Sequence, residues 1–135
     1  MMRTAEEFVS LRRSARQQDY LRAATDSAST EVCLEVITRF PDMRVWVAHN
    51  KTVPIEVLSI LARHADPDIR MAVALKNKLS EDLFSLLAAD PNDSVRERIA
   101  CNKKTPTEAL RRLANDTCDL VSIQATERVR KREAQ

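Results

Sequence analysis

The fold is decided by residues 94–114, SVRERIACNKKTPTEALRRLA, because two earlier segments repeat their pattern. Residues 68–88 read DIRMAVALKNKLSEDLFSLLA, and residues 42–62 read DMRVWVAHNKTVPIEVLSILA. Each segment begins 26 residues after the one before, and a fixed period of about 20 to 50 residues is the signature of a repeat array. The sequence therefore predicts stacked pairs of short helices, in which each pair completes the apolar core of its neighbours.

Turn and capping residues divide each repeat into two helices. An acidic turn with a proline opens the first helix, since Pro and Asp are favoured at helix starts. The first helix is predicted to end at Asn50, Asn77 or Asn102. In a chain without glycine, asparagine is the best remaining residue for a left-handed C-terminal cap. The second helix is predicted to start at Pro54, Ser80 or Pro106, with an acidic residue in its first turn that suits the helix dipole.

The period also divides the chain into segments. Residues 1–39 are predicted to form an N-terminal cap with a degenerate repeat, and residues 118–135 a C-terminal capping helix. Residues 40–65, 66–91 and 92–117 are the three regular repeats. The predicted fold class is all-α, a right-handed α–α superhelix of short helical hairpins in a single domain.

Composition limits the other possibilities. The 135 residues contain no glycine, three cysteines, and 22 Lys and Arg against 20 Asp and Glu. The small net charge gives no global signal for nucleic acid, and the odd, widely spaced cysteines are typical of reduced thiols in a cytoplasmic protein. No apolar run approaches the roughly 20 residues of a membrane span, and the N-terminus lacks the apolar core of a secretory signal.

The repeat residues resemble those of the leucine-rich repeat variant family, a group within the HEAT- and armadillo-like α-solenoids. The resemblance rests on Val95-Arg96, Ala100-x-Asn102 and Thr105-Pro106-x-Glu108-x-Leu110, with the matching residues of the two earlier repeats. It covers roughly residues 40–126 and implies an α-solenoid. Some members of that family have an iron–sulfur cluster on a cysteine-rich segment. This chain has no such segment, so no cofactor is predicted.

The charged residues of the turns predict an acidic edge and a basic edge along the stacked repeats. The turns between repeats are acidic, whereas the turns inside them carry Lys51, Lys76, Lys78, Lys103 and Lys104. The favoured interpretation is helix-end chemistry, because acids stabilise helix N-termini and bases stabilise C-termini by about 0.3–1 kcal/mol each. The lysine edge is kept as an alternative contact for an acidic partner.

Two further features allow a structural and a functional interpretation. Arg44, Arg70 and Arg96 share one repeat position. Such a column binds phosphates or carboxylates, but it is expected to pair with Asp residues of the adjacent turns. Trp46 is the only tryptophan, and it is predicted either to be a binding hot spot or to cover the degenerate N-terminal repeat.

The outer face of the second helices is the predicted partner-binding surface, since second helices tend to line the concave side of solenoids of this kind. With Trp46, the predicted residues are Glu56, Ser59, Arg63, Asp82, Ser85, Glu108, Arg111 and Arg112.

Enzyme chemistry has little support in the sequence. His49 and His64 are the only histidines, they have no metal-ligand spacing, and no Gly-rich phosphate loop is possible. No catalytic or metal-binding residue is predicted. The predicted function is a non-enzymatic binding role: a monomeric module that binds another protein on its concave face, as an adaptor or as a toxin-neutralising, immunity-type inhibitor. Nucleic-acid binding along the lysine edge is the alternative.

Overall fold

The structure, a computed structural model, describes residues 1–135. It is all-helical, as predicted, with ten α-helices, one 3-10 turn and no named strand. The chain forms two compact units, Met1–His64 and Ala65–Gln135.

The first unit contains five helices. They are α1 (Ala5–Arg13), α2 (Gln17–Thr25), α3 (Thr30–Arg39), α4 (Arg44–His49, preceded by the 3-10 turn Pro41–Met43) and α5 (Ile55–Leu61). Helix α1 packs on α2 and α3, and α3 packs on α4 and α5. The core includes Phe8, Val36, Val47, Val57 and Leu61, all nearly inaccessible to solvent. Helix α1, in the predicted N-terminal cap, therefore contributes Phe8 to the core.

The second unit also contains five helices. They are α6 (Pro67–Ala74), α7 (Glu81–Ala88), α8 (Asp93–Cys101), α9 (Thr107–Leu113) and α10 (Asp119–Glu133). Helix α8 packs on α6, α7, α9 and α10. Leu87, Val95, Ile99, Leu110 and Val121 are completely buried. They occupy the apolar positions of the repeat, so the period of the sequence is the period of the core.

Helix starts follow the predicted capping chemistry. Asp66 caps α6 by accepting a hydrogen bond from Asp68 N, with Pro67 in the first turn. Asn92 caps α8 by accepting from Ser94 N and Val95 N, and Ser80 caps α7 by accepting from Leu83 N. These bonds satisfy amide groups that the first turn of a helix leaves without a partner.

The predicted left-handed asparagine caps are wrong. No residue has a positive φ; Asn50 adopts φ −60°, ψ 130° and Asn102 adopts φ −73°, ψ 125°. Both side chains are instead buried and bond to distant backbone carbonyls. Asn77 lies outside this pattern and is exposed, because Lys76 occupies the position 26 residues before Asn102.

Candidate partner-binding surfaces

The arginine column is used by the fold in the second unit. Arg70 donates two hydrogen bonds to the Asp90 carboxylate, at 2.8 and 3.1 Å, and Arg96 donates two to Asp116 at the same distances. Arg96 also donates to the Asp90 carbonyl at 2.8 Å. Because Arg96 therefore contacts the turns on both sides of its repeat, the predicted structural pairing is confirmed for these two residues.

Both ion pairs are largely shielded from solvent. The side chains of Arg70 and Asp90 are 12% and 4% exposed, so solvent screens the pair far less than it screens an exposed one. The hydrogen bonds from Arg96 lower the pKa of the Asp116 carboxyl. Arg70 and Arg96 are thus engaged in structural bonds and are no longer candidates for binding a partner.

Arg44 departs from this pattern. Its Nε donates to the Ile37 carbonyl at 2.7 Å, and its Nη1 lies 3.3 Å from His64 Nε2. His64 stands where the other two repeats have Asp90 and Asp116. The first repeat therefore has an imidazole at the position that is otherwise an aspartate.

Buried asparagines join loops that are one repeat apart. Asn102 Nδ2 donates to the Lys76 carbonyl at 2.8 Å, and its Oδ1 accepts from Lys104 N at 2.9 Å. In the first unit, Asn50 Nδ2 donates to the Ala23 and Asp26 carbonyls. Buried amide groups of this kind are stabilising only when bonded, so these asparagines hold successive loops together.

Trp46 has the structural role that was one of its two predicted roles. Its side chain remains 39% exposed, while the Arg12 guanidinium of α1 lies 3.5 Å from its ring centroid. A cation over an indole face contributes about 0.5–2 kcal/mol, depending on desolvation. Trp46 therefore covers part of the N-terminal helices, and part of its ring stays exposed to solvent.

A small pocket surrounds this contact, and we call it the Trp46 pocket. Its volume is about 140 Å³. The lining residues are Arg12, Tyr20, Leu21, Ala23, Ala24, Trp46 and His49. Two of the three helices around it, α1 and α2, belong to the degenerate N-terminal region, which the repeat pattern alone does not position.

The Arg12 guanidinium has an unusual hydrogen-bonding state. Its Nε is the one buried side-chain nitrogen or oxygen in the chain without a hydrogen-bond partner, although its guanidinium also lies 5.9 Å from the Tyr20 ring centroid. A buried donor left unsatisfied costs about 1–3 kcal/mol. No carboxylate pairs with Arg12, whereas Arg13 pairs with Asp42 at 3.0 Å and Arg22 with Glu7 at 2.8 Å.

The predicted second-helix residues are largely at the surface. Those that are exposed are Glu56, Arg63, Asp82, Ser85, Glu108, Arg111 and Arg112, and Ser59 is half-buried. Glu56, Asp82 and Glu108 have one repeat position in common, and none of them is in an ion pair. Arg63 donates to the Ser59 carbonyl at 3.0 Å, and Arg111 lies 3.7 Å from the exposed Glu133 carboxylate.

Exposed apolar side chains were missed by the sequence reasoning. Ile55 and Ile60 of α5 are 46% and 49% exposed, and Leu120 and Ile123 of α10 are about 60% exposed. Ile60 lies four residues after Glu56 and three before Arg63, so the three side chains share one face of α5. The signal was present in the sequence, since the buried face of α5 is already supplied by Val57, Leu58 and Leu61.

The predicted lysines differ in their surroundings. Lys51, Lys78, Lys103 and Lys104 are exposed, whereas Lys76 is half-buried and burial lowers its pKa. Two arginines of α10 bond to the loop that carries Lys103: Arg128 donates to the Cys101 carbonyl and Arg132 to the Lys103 carbonyl, both at 2.9 Å. Basic side chains of α10 thus gather beside this loop.

No three His, Cys, Asp or Glu side chains are grouped so that they could hold a metal ion. None of the ten helices combines the length and apolarity that crossing a bilayer requires. The three cysteines are free thiols, and burial raises the pKa of Cys33.

Comparison with protein-family models, curated proteins and solved structures gives no match for this chain. Its likeness to the leucine-rich repeat variant family therefore stays a prediction drawn from the repeat residues.

Proposed function

We propose that this protein is a non-enzymatic binding module, a right-handed HEAT- or armadillo-like superhelix that binds another protein on the outer face of its second helices. Such a module acts as an adaptor or as an inhibitor that covers the active surface of a toxin. The observation that carries the proposal is a contrast between two sets of repeated side chains. One set is bonded within the fold, and the other is exposed and forms no ion pair.

One set of side chains is committed to the fold. Arg70, Arg96 and Asn102 make short bonds to carboxylates or carbonyls of neighbouring turns. The acids Glu56, Asp82 and Glu108 form the other set; they are exposed and are not ion-paired. An acid in the first turn suits the helix dipole, but these three exposed carboxylates form no ion pair, so they remain available for contact with a partner.

The face of α5 has the composition of a protein contact. Ile60 is flanked by an acid and a base on the same face, and all three are exposed. An apolar side chain between an acid and a base matches the combination of apolar centre and polar rim found at protein interfaces. A partner surface with an apolar patch and basic side chains would complement Ile60 and Glu56.

A pull-down from extract of the native host tests the proposal. The bait is the wild-type chain, an Ile60→Glu variant, or a matched Ile123→Glu variant that changes an exposed isoleucine of α10. The proposal expects one protein retained by the wild type and by Ile123→Glu and lost with Ile60→Glu. If no protein is retained at low salt, or if Ile60→Glu retains the same protein equally well, protein binding by this face is refuted.

Nucleic-acid binding is the second candidate, and the loop of residues 101–107 favours it. Lys103 and Lys104 are exposed there, and the guanidinium groups of Arg128 and Arg132 bond to the same loop. None of these four side chains is in an ion pair. Clustered cations of this kind neutralise phosphates.

A gel shift at low ionic strength tests this candidate. Binding through phosphates weakens steeply with salt, so the candidate expects a shift that disappears with added salt and with Lys103→Glu/Lys104→Glu. The matched control is Arg63→Glu, which reverses a charge on α5. A shift that is absent for the wild type, or that is equal for both variants, would eliminate nucleic-acid binding by this loop.

A further inference from the structure

The Trp46 pocket has room for one side chain. Its volume is about 140 Å³, close to that of an engineered cavity of about 150 Å³ that binds benzene. Sites for drug-sized ligands are larger, roughly 300–1,000 Å³. The pocket therefore suits a single aromatic or branched aliphatic group and not a whole cofactor.

The charge of Arg12 favours a negatively charged group next to the apolar side chain in the pocket. Arg12 is stacked on Trp46 and has no carboxylate partner, and its Nε is buried and unsatisfied. The neighbouring Arg13 and Arg16 have partners in Asp42 and Asp19. A guanidinium pairs best with a carboxylate, which accepts two parallel hydrogen bonds from its fork. A carboxylate bound to the terminal nitrogens of Arg12 would give this guanidinium the charge partner that it lacks.

The rim of the pocket has the composition of a protein contact. Trp46 and Leu21 are 39% and 49% exposed, and Tyr20 lines the wall. Trp, Tyr and Arg are the residues most enriched at the energetic centres of protein interfaces. Here they meet in one pocket, with an apolar rim for the rest of the partner segment.

We propose that the Trp46 pocket anchors one apolar side chain of a partner protein, with an adjacent Asp or Glu carboxylate of that partner bound to Arg12. The occupant is a short acidic segment with a central aromatic or aliphatic residue. This inference rests on the proposed protein-binding function and adds the chemistry of one contact.

The single tryptophan provides a direct readout, because its fluorescence reports on this pocket alone. The probe is the peptide acetyl-Ala-Asp-Phe-Asp-Ala-amide, and its partner probe replaces both Asp residues with Asn. A saturable change of Trp46 emission is expected with the Asp peptide, and binding of the Asn peptide is expected to be about tenfold weaker, as charge-assisted bonds are stronger than neutral ones. Equal binding of the two peptides, or no change with either, would overturn the proposal.

Variants identify the residues responsible. Arg12→Gln should weaken the Asp peptide about tenfold, whereas the matched Arg13→Gln, which alters an exposed arginine paired with Asp42, should leave binding unchanged. If Arg12→Gln lowers the melting temperature, Leu21→Asp replaces it. This exposed rim position tolerates a carboxylate, which should repel the Asp peptide. Unchanged binding in a folded Arg12→Gln or Leu21→Asp variant would refute the assignment.

Two further results separate this inference from the proposed function. Phenylpropionate carries the same ring and carboxylate as a free small acid; if it binds as tightly as the Asp peptide, the pocket takes a small molecule and the inference fails. If the protein captured by the wild-type chain is still captured by Arg12→Gln, the pocket is not its anchor, while protein binding itself stands. Loss of that capture with Arg12→Gln, but not with Arg13→Gln, supports the inference.

Discussion

Replacing Asp116 with Asn tests whether the Arg–Asp bond stabilises the repeat. Asp116 and Arg96 have side chains that are 11% and 16% exposed, and Arg96 donates bonds of 2.8 and 3.1 Å to the carboxylate. Asn keeps one acceptor oxygen, which can still receive the Cys118 N–H that bonds at 2.9 Å. It places an amide donor against the guanidinium and removes the negative charge.

The expected loss follows from these contacts. A hydrogen bond to a charged group contributes about 1.5–3 kcal/mol, and one of the two bonds is lost while the other loses its charge. The free energy of unfolding should fall by about 2 kcal/mol at pH 7. Asp119→Asn is the matched control, because Asp119 is exposed in the first turn of α10 and contributes only about 0.3–1 kcal/mol through the helix dipole.

The pH dependence gives a second, independent check. Since Arg96 lowers the pKa of Asp116 in the folded state, the stabilisation is present above the unfolded-state pKa of about 3.9. It is lost as pH falls through the lower folded-state pKa. Urea unfolding at pH 7, 5 and 3 should show the difference between wild type and Asp116→Asn shrinking at the lowest pH. A loss no larger than that of Asp119→Asn, or a difference that is independent of pH, would show that the Arg96–Asp116 pair does not stabilise the repeat.

Three other outcomes are expected. Asn102→Ala should lower the free energy of unfolding by about 1–3 kcal/mol, because the Lys104 amide loses its acceptor and the Lys76 carbonyl its donor. The control is Asn77→Ala, which changes an exposed asparagine. An equal effect of the two substitutions would contradict a structural role for the Asn102 side chain. His64→Asp should raise the melting temperature, because Arg44 would gain the carboxylate present in the other repeats, and a lower melting temperature would show that the imidazole is preferred. Cys33 should react with a thiol reagent more slowly than the other two cysteines, since its burial raises its pKa; single-cysteine variants measure each rate, and comparable rates would contradict this expectation.

Much of the helical architecture was predictable, because local rules decide it. The period located α6 to α9, and Asp66 and Asn92 cap helices as their residue types suggest. The pairing of Arg96 with an acidic turn was also predictable, since helix starts place acids at a fixed repeat position.

The asparagines show where local rules fail. Asn50 and Asn102 occupy helix ends, and residue preference alone favours a left-handed cap. The structure instead uses the reach of the amide to a carbonyl one repeat away, a contact that no local preference contains. The stacking of Arg12 on Trp46 is similar, because it depends on how α1 packs beside α4 and lies outside the period.

If the second-helix faces bind another protein, that protein must lie against Ile60 of α5. A photo-crosslinking amino acid placed at Ile60, in the chain expressed in its native host, tests this most directly, with the same residue placed at Ile123 as control. One discrete protein adduct is expected at Ile60 and none at Ile123. No adduct at Ile60, or the same adduct at both positions, would contradict protein binding by this face.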